Sequence, residues 1–93
     1  MGRYPRRKQM RLAEKLLTVR LALGLSQNEM LRRLGAEEEL FRSSISNYEL
    51  GDREPPLYIL LEYARLAGVC LDVLVDDELD LPEKLPGKPK HKH

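Results

Sequence analysis

Leu12, Leu16, Val19 and Leu23 recur at spacings of four, three and four residues, which places them on one face of a helix starting near Met10. Gly24 ends it, because a residue without a Cβ takes the left-handed conformation of a helix C-terminus at little cost. Ser26 and Glu29 then stand three apart as a capping box, predicting a second helix from Gln27 to about Leu34. Its inner face is Met30, Leu31 and Leu34, with Gly35 as its stop. Ile45 and Tyr48, spaced i and i+3, predict a third helix closing at Gly51. Pro55 and Pro56 suit the lead-in to a fourth, over Pro56 to Ala67 with Gly68 behind it. This fourth helix carries two apolar stripes: Leu57, Leu60, Leu61 and Ala64, then Ile59, Tyr63 and Leu66. The second stripe is either packing beneath the C-terminal segment or a face for a second copy of the chain. A short fifth helix, Leu71 to Val75, completes an all-α reading.

Nothing periodic precedes Met10 or follows Val75. Residues 1–9 read as a flexible basic arm, 10–77 as one domain and 78–93 as an extended, Pro-rich and finally disordered tail. A length of 93 residues fits one compact unit. The single cysteine, Cys70, excludes an internal disulfide and a zinc site built on paired thiolates. His91 and His93 alternate with lysines at the chain end, so neither metal nor cofactor is expected. No apolar run approaches the ~18 residues of a membrane span, and no secretory h-region opens the chain. The reading is a soluble, cytoplasmic protein that meets no membrane.

A formal net charge of +1 argues by itself against a nucleic-acid partner, but the charges are unevenly spread. Residues 1–33 hold nine Lys or Arg against two acids, whereas residues 34–83 hold three Arg against thirteen acids. Such a dipole either points a basic pole at phosphates or is a mixed, solvated surface.

The chemistry of the second and third helices changes the picture. Ser26 and Gln27 place small polar groups beside unpaired backbone amides at a positive helix end, a setting that attracts phosphate. The run Arg42-Ser43-Ser44-Ile45-Ser46-Asn47-Tyr48 buries only Ile45 and Tyr48, leaving Arg42, Ser43, Ser46 and Asn47 outward. Ser and Asn are mediocre helix formers, so their presence on an exposed helix adds no stability. They do suit a major groove, where Arg pairs with guanine, Asn with adenine and Ser with either. No nucleophile stands beside a plausible base and no glycine loop cradles phosphate, so no enzyme is expected.

From Arg20 to Asp77 the chain resembles the phage repressor and Cro family of helix-turn-helix regulators, also called the xenobiotic response element (XRE) family. The residues that carry the resemblance are Arg20-Leu21-Ala22-Leu23-Gly24-Leu25-Ser26-Gln27, Leu34-Gly35, Ile45-Ser46-Asn47-Tyr48-Glu49 with Gly51, Arg53-Glu54-Pro55, Leu60-Leu61, Ala64, Gly68-Val69 and Leu71-Asp72. The resemblance implies a compact five-helix, lambda-repressor-like domain with the helix-turn-helix at helices 2 and 3, acting as a dimer on double-stranded DNA. It puts Arg42, Ser43, Ser46 and Asn47 at the bases, and Ser26, Gln27, Ser44 and Arg53 at or near phosphate. Arg20 and Glu49 match a structural ion pair joining helices 1 and 3, and Cys70 stands where the family favours a serine cap, as a half-buried thiol. Ile59, Tyr63 and Leu66 become the candidate dimer face.

Three departures bear on that carry-over. Residues 35–42 separate Leu34 from Ser43, where the usual turn has about 3 to 4 residues. The extra segment must bulge, with Leu40 and Phe41 expected to fold into the core and Glu37, Glu38 and Glu39 either capping a turn or lying near DNA. Asp52 replaces a basic residue and Leu50 a polar one, both weakening contacts to phosphate. The leading expectation is a sequence-specific transcriptional regulator. The alternative is a protein-interaction module or antitoxin-like partner on the same fold, in which the acidic loop, Asp52 and the spare stripe on helix 4 bind protein. The basic arm either tracks phosphates or is an inert terminus.

Overall fold

The computed structural model describes residues 10–87, and the expected basic arm at 1–9 and the chain end at 88–93 lie outside the described residues. Five helices follow one another: α1 (Leu12–Ala22), α2 (Gln27–Arg33), α3 (Arg42–Leu50), α4 (Leu57–Ala67) and α5 (Leu71–Val75). Among the described residues there is no strand. Leu12, Leu16, Val19 and Leu23 are buried as their spacing predicts, and they share one core cluster with Met30, Leu31 and Leu34 of the second helical segment. Ile45 and Tyr48 fix α3 against α1 and α2, while Leu74 ties α5 to the same core.

Local chemistry sets the helix ends. Ser26 Oγ accepts from the Glu29 N–H at 3.0 Å and Glu29 Oε1 accepts from the Ser26 N–H at 2.8 Å, so the predicted capping box starts α2. Gly68, at φ 76°, closes α4 in the left-handed conformation that a side chain would oppose.

The two stripes of α4 are sorted differently from the dimer expectation. Ile59 and Tyr63 are buried in the core and Leu66 is half-buried against it, so this stripe is packing and not a face for a second copy. The exposed apolar side chains of α4 are instead Leu57, Tyr58 and Leu61. Leu60 and Ala64 stay buried, so the core claims the arc between the two stripes.

The segment between α2 and α3 also departs from expectation. Ala36 is buried, and its carbonyl accepts from the amides of Glu39 (3.1 Å) and Leu40 (2.9 Å), closing a turn. Glu37, Glu38 and Glu39 are exposed on that turn, and Tyr58 Oη donates to Glu39 Oε1 at 3.4 Å. Leu40 is half-buried against the core, whereas Phe41 stays in solvent. Cys70, expected half-buried, is exposed at the N-cap of α5.

Residues 78–87 do not behave as a detached tail, so the domain extends beyond the expected boundary at 77. Leu81 and Leu85 pack on the core, and the Gly87 N–H donates to the Ala67 carbonyl at 2.9 Å. A Cβ on Gly87 would overlap Leu66 O, so this close approach to the end of α4 requires glycine.

The strap formed by these residues, and the stretch from Val73 to Asp77 that leads into it, are latched to the start of α1. Arg11, the N-cap of α1, offers no side-chain cap of its own. Asp77 supplies the acceptors, taking the Met10 N–H at 2.8 Å and the Arg11 N–H at 3.1 Å. These bonds hold the Asp77 carboxyl below its ordinary pKa, with the Met10 amide the larger cause. Lys15 lies beneath, its Nζ donating to the carbonyls of Val73 (2.8 Å), Asp76 (2.9 Å) and Leu79 (2.6 Å). Burial pushes the Lys15 pKa down, and the carbonyls of Val73 and Asp76 at the negative end of α5, with that of Leu79 just beyond it, are what a buried ammonium needs.

Candidate nucleic-acid interface

α3 owes its position to its inner side. Ile45 and Tyr48 are buried, and burial raises the pKa of the Tyr48 hydroxyl. Glu49 reaches across to α1, where Arg20 Nε donates to Oε2 at 2.6 Å and Nη2 donates to Oε1 at 3.0 Å. The two side chains are only 13% and 5% exposed, so this bidentate pair is a fixed strut and not a surface contact. The Glu49 hydrogen bond holds the Arg20 pKa above its ordinary value. The remaining guanidinium nitrogen, Nη1, donates to the Leu25 carbonyl at 2.9 Å, just before α2. Gln27 Nε2 joins the same carboxylate, donating to Glu49 Oε1 at 3.1 Å. One ion pair thereby sets α1, α2 and α3 relative to one another.

With the inner side fixed, the opposite side of α3 is determined. At about 100° per residue, positions 42, 43, 46, 47 and 50 fall within an arc of about 140° opposite Ile45 and Tyr48. Arg42 and Ser43 are exposed, Ser46 and Asn47 are half-buried, and Leu50, near the middle of the arc in the last turn of α3, is exposed. The arc therefore presents one guanidinium, two hydroxyls and one carboxamide side by side.

The expected phosphate contacts are placed as follows. Ser26 is exposed at the head of α2 with a lone pair committed to its cap, and its hydroxyl proton stays available as a donor. Gln27 is half-buried and held by Glu49. Ser44 Oγ accepts from the Phe41 N–H at 3.3 Å, so it serves first as a cap for α3. Arg53 is exposed beyond α3, and its amide donates to the Asn47 carbonyl at 3.3 Å. Asp52 is exposed beside it.

Sequence reasoning missed two residues. Phe41, expected in the core, is 75% exposed at the N-cap of α3. Lys15 went unremarked although its place between Leu12, Leu16 and Val19 puts it on the buried stripe. That placement was the signal available.

The architecture defines an all-α helix-turn-helix domain of the lambda-repressor-like type, with α2 and α3 as the motif. The chain belongs to the helix-turn-helix family of the XRE and Cro type, whose family model matches residues 16–74. This is a family of DNA-binding regulatory domains that are not typically enzymatic. No curated protein matches the chain. Among the described residues, no helix is long and apolar enough to cross a membrane.

Proposed function

We propose that this protein is a sequence-specific transcriptional regulator of the cytoplasm that binds double-stranded DNA as a homodimer and reads the major groove with α3. The observation that carries the reading is the outward arc of Arg42, Ser43, Ser46 and Asn47, which contributes nothing to the core yet is held by Ile45, Tyr48 and the Arg20–Glu49 pair. Arg42 and Asn47 have the donor and acceptor geometry for guanine and adenine, and the serines serve either base. Ser26 and Gln27 stand at the N-terminal end of α2 and Ser44 in the first turn of α3, positive ends that favour phosphate, and Arg53 adds a cation beyond the C-terminus of α3.

The exposed Leu57, Tyr58 and Leu61 on α4 favour a second reading, a protein-interaction module with weak or no DNA binding. Selection from a pool of random duplexes at low salt separates the two. Regulation by a dimer predicts an enriched, two-fold symmetric motif with half-sites about 34 Å apart, bound with an affinity that falls steeply as salt rises. A pool that yields no common motif favours the protein-interaction module instead.

A further inference from the structure

Phe41 has no structural reason to be where it is. It is the N-cap of α3, in extended backbone at φ −118° and ψ 166°, and the helix receives no side-chain cap from it. That position favours Ser, Thr, Asp or Asn, whose oxygen accepts from an unpaired amide, and a phenyl ring has nothing to accept with. The ring is also 75% exposed, so it adds little to the core.

Its direction is nevertheless set by its neighbours. Leu40 packs against the core while the next side chain, Phe41, stands in solvent, so the junction seats one inward and turns the other outward. Ser44 clamps the junction from the other side: its Oγ accepts from the Phe41 N–H at 3.3 Å and its N–H donates to the Phe41 carbonyl at 2.8 Å. The turn closed on Ala36 thus delivers an aromatic ring to the head of α3, directly before the exposed Arg42 and Ser43.

We propose that Phe41 is a specificity residue that recognises thymine by packing its ring against the 5-methyl group in the major groove. The inference rests on the DNA-reading function proposed above. The second helix of this motif enters the groove by its N-terminal residues, and Phe41 leads that end of α3. Among the four bases only thymine shows an apolar group on the major-groove edge, and an aromatic ring is a suitable contact for it. The lengthened connection then has a function, since it is the segment that carries this ring.

The test uses the full chain and the duplex it selects from a random pool. Each thymine is replaced singly by uracil, which removes the methyl and leaves the hydrogen-bonding edge unchanged. Replacement at one thymine of each half-site should weaken binding about 4-fold, the factor carried by burying one methyl-sized group. Phe41→Ser should bind the thymine and uracil duplexes equally, and Phe41→Leu should retain part of the difference. Phe41→Ser should also melt at a higher temperature, because serine restores the missing cap. A structural role for Phe41 predicts the opposite, a lower melting temperature. Wild-type protein indifferent to uracil at every position overturns the proposal, as does a Phe41→Ser variant that still prefers thymine. Failure to select any duplex would remove the DNA-reading function and this inference together, whereas a selected site without methyl dependence removes only the inference.

Discussion

Lys15 on α1 and Phe41 at the head of α3 each sit where their chemistry is least at home: the lysine is 2% exposed and the phenylalanine 75% exposed. The difference lies in what surrounds them. Three backbone carbonyls receive the Lys15 ammonium, while Asp77 takes the amides leading into α1, so this end of the molecule is chemically closed. At the other end the ring of Phe41 and the side chains of Arg42 and Ser43 stand in solvent on a backbone that is firmly held. A misplaced residue with its requirements met belongs to the architecture. A misplaced residue with a fixed backbone and an exposed side chain points to something outside the molecule.

The contrast can be broken first at Lys15. Lys15→Ala leaves three carbonyls without their donor and opens space on the α1 stripe, so stability should fall by about 3 kcal/mol in urea denaturation. A loss under about 1 kcal/mol would mean that the latch contributes little. Tyr63 sharpens the same point with a smaller effect. Its buried hydroxyl has no hydrogen-bond partner among the described residues, and burial pushes its pKa well above the ordinary value. Tyr63→Phe should therefore leave stability unchanged or raise it by up to about 1 kcal/mol, as read by thermal melting.

The smallest effect concerns pH. The folded Asp77 carboxyl lies below its ordinary value of about 3.9 because two amides donate to it. Its contribution is therefore fully present above that ordinary value and is lost as pH falls through the folded one. Melting temperatures followed from pH 6 down to pH 2 should show a shallower acid decline for Asp77→Asn than for the wild type. Parallel declines would show that the strap is held without this carboxylate.

Much of the fold is written locally and could be read locally. The Ser26–Glu29 capping box, the Gly68 stop and the four-residue spacing of Leu12 and Leu16 involve residues within one or two turns of each other. The stripes of α4 were legible as stripes, but which one faces the core depends on how α1 and α5 lie against the helix, and periodicity carries no such information. For that reason the stripe of Ile59 and Tyr63 stayed open between packing and a face for a second copy. The strap was missed because its bonds join Met10, Arg11 and Lys15 to residues 58 to 69 positions away, in a stretch whose prolines and charges resemble a disordered tail. Leu81, Leu85 and Gly87 were the available clues within it. At α3, the outward positions follow from Ile45 and Tyr48 alone, so the arc was legible, whereas the exit direction of the insert, and with it Phe41, was not.

The outward arc of α3 is what the functional account depends on, and Asn47→Ala tests it most directly. Asn47 lies opposite the buried side of α3, so the variant should melt within about 1 kcal/mol of the wild type. On the selected duplex and its single-base-pair variants, the account predicts that preference vanishes at one base pair of each half-site, a loss of about 1 to 3 kcal/mol there, and persists elsewhere. Preference retained at every base pair would contradict the claim that this face of α3 reads the bases.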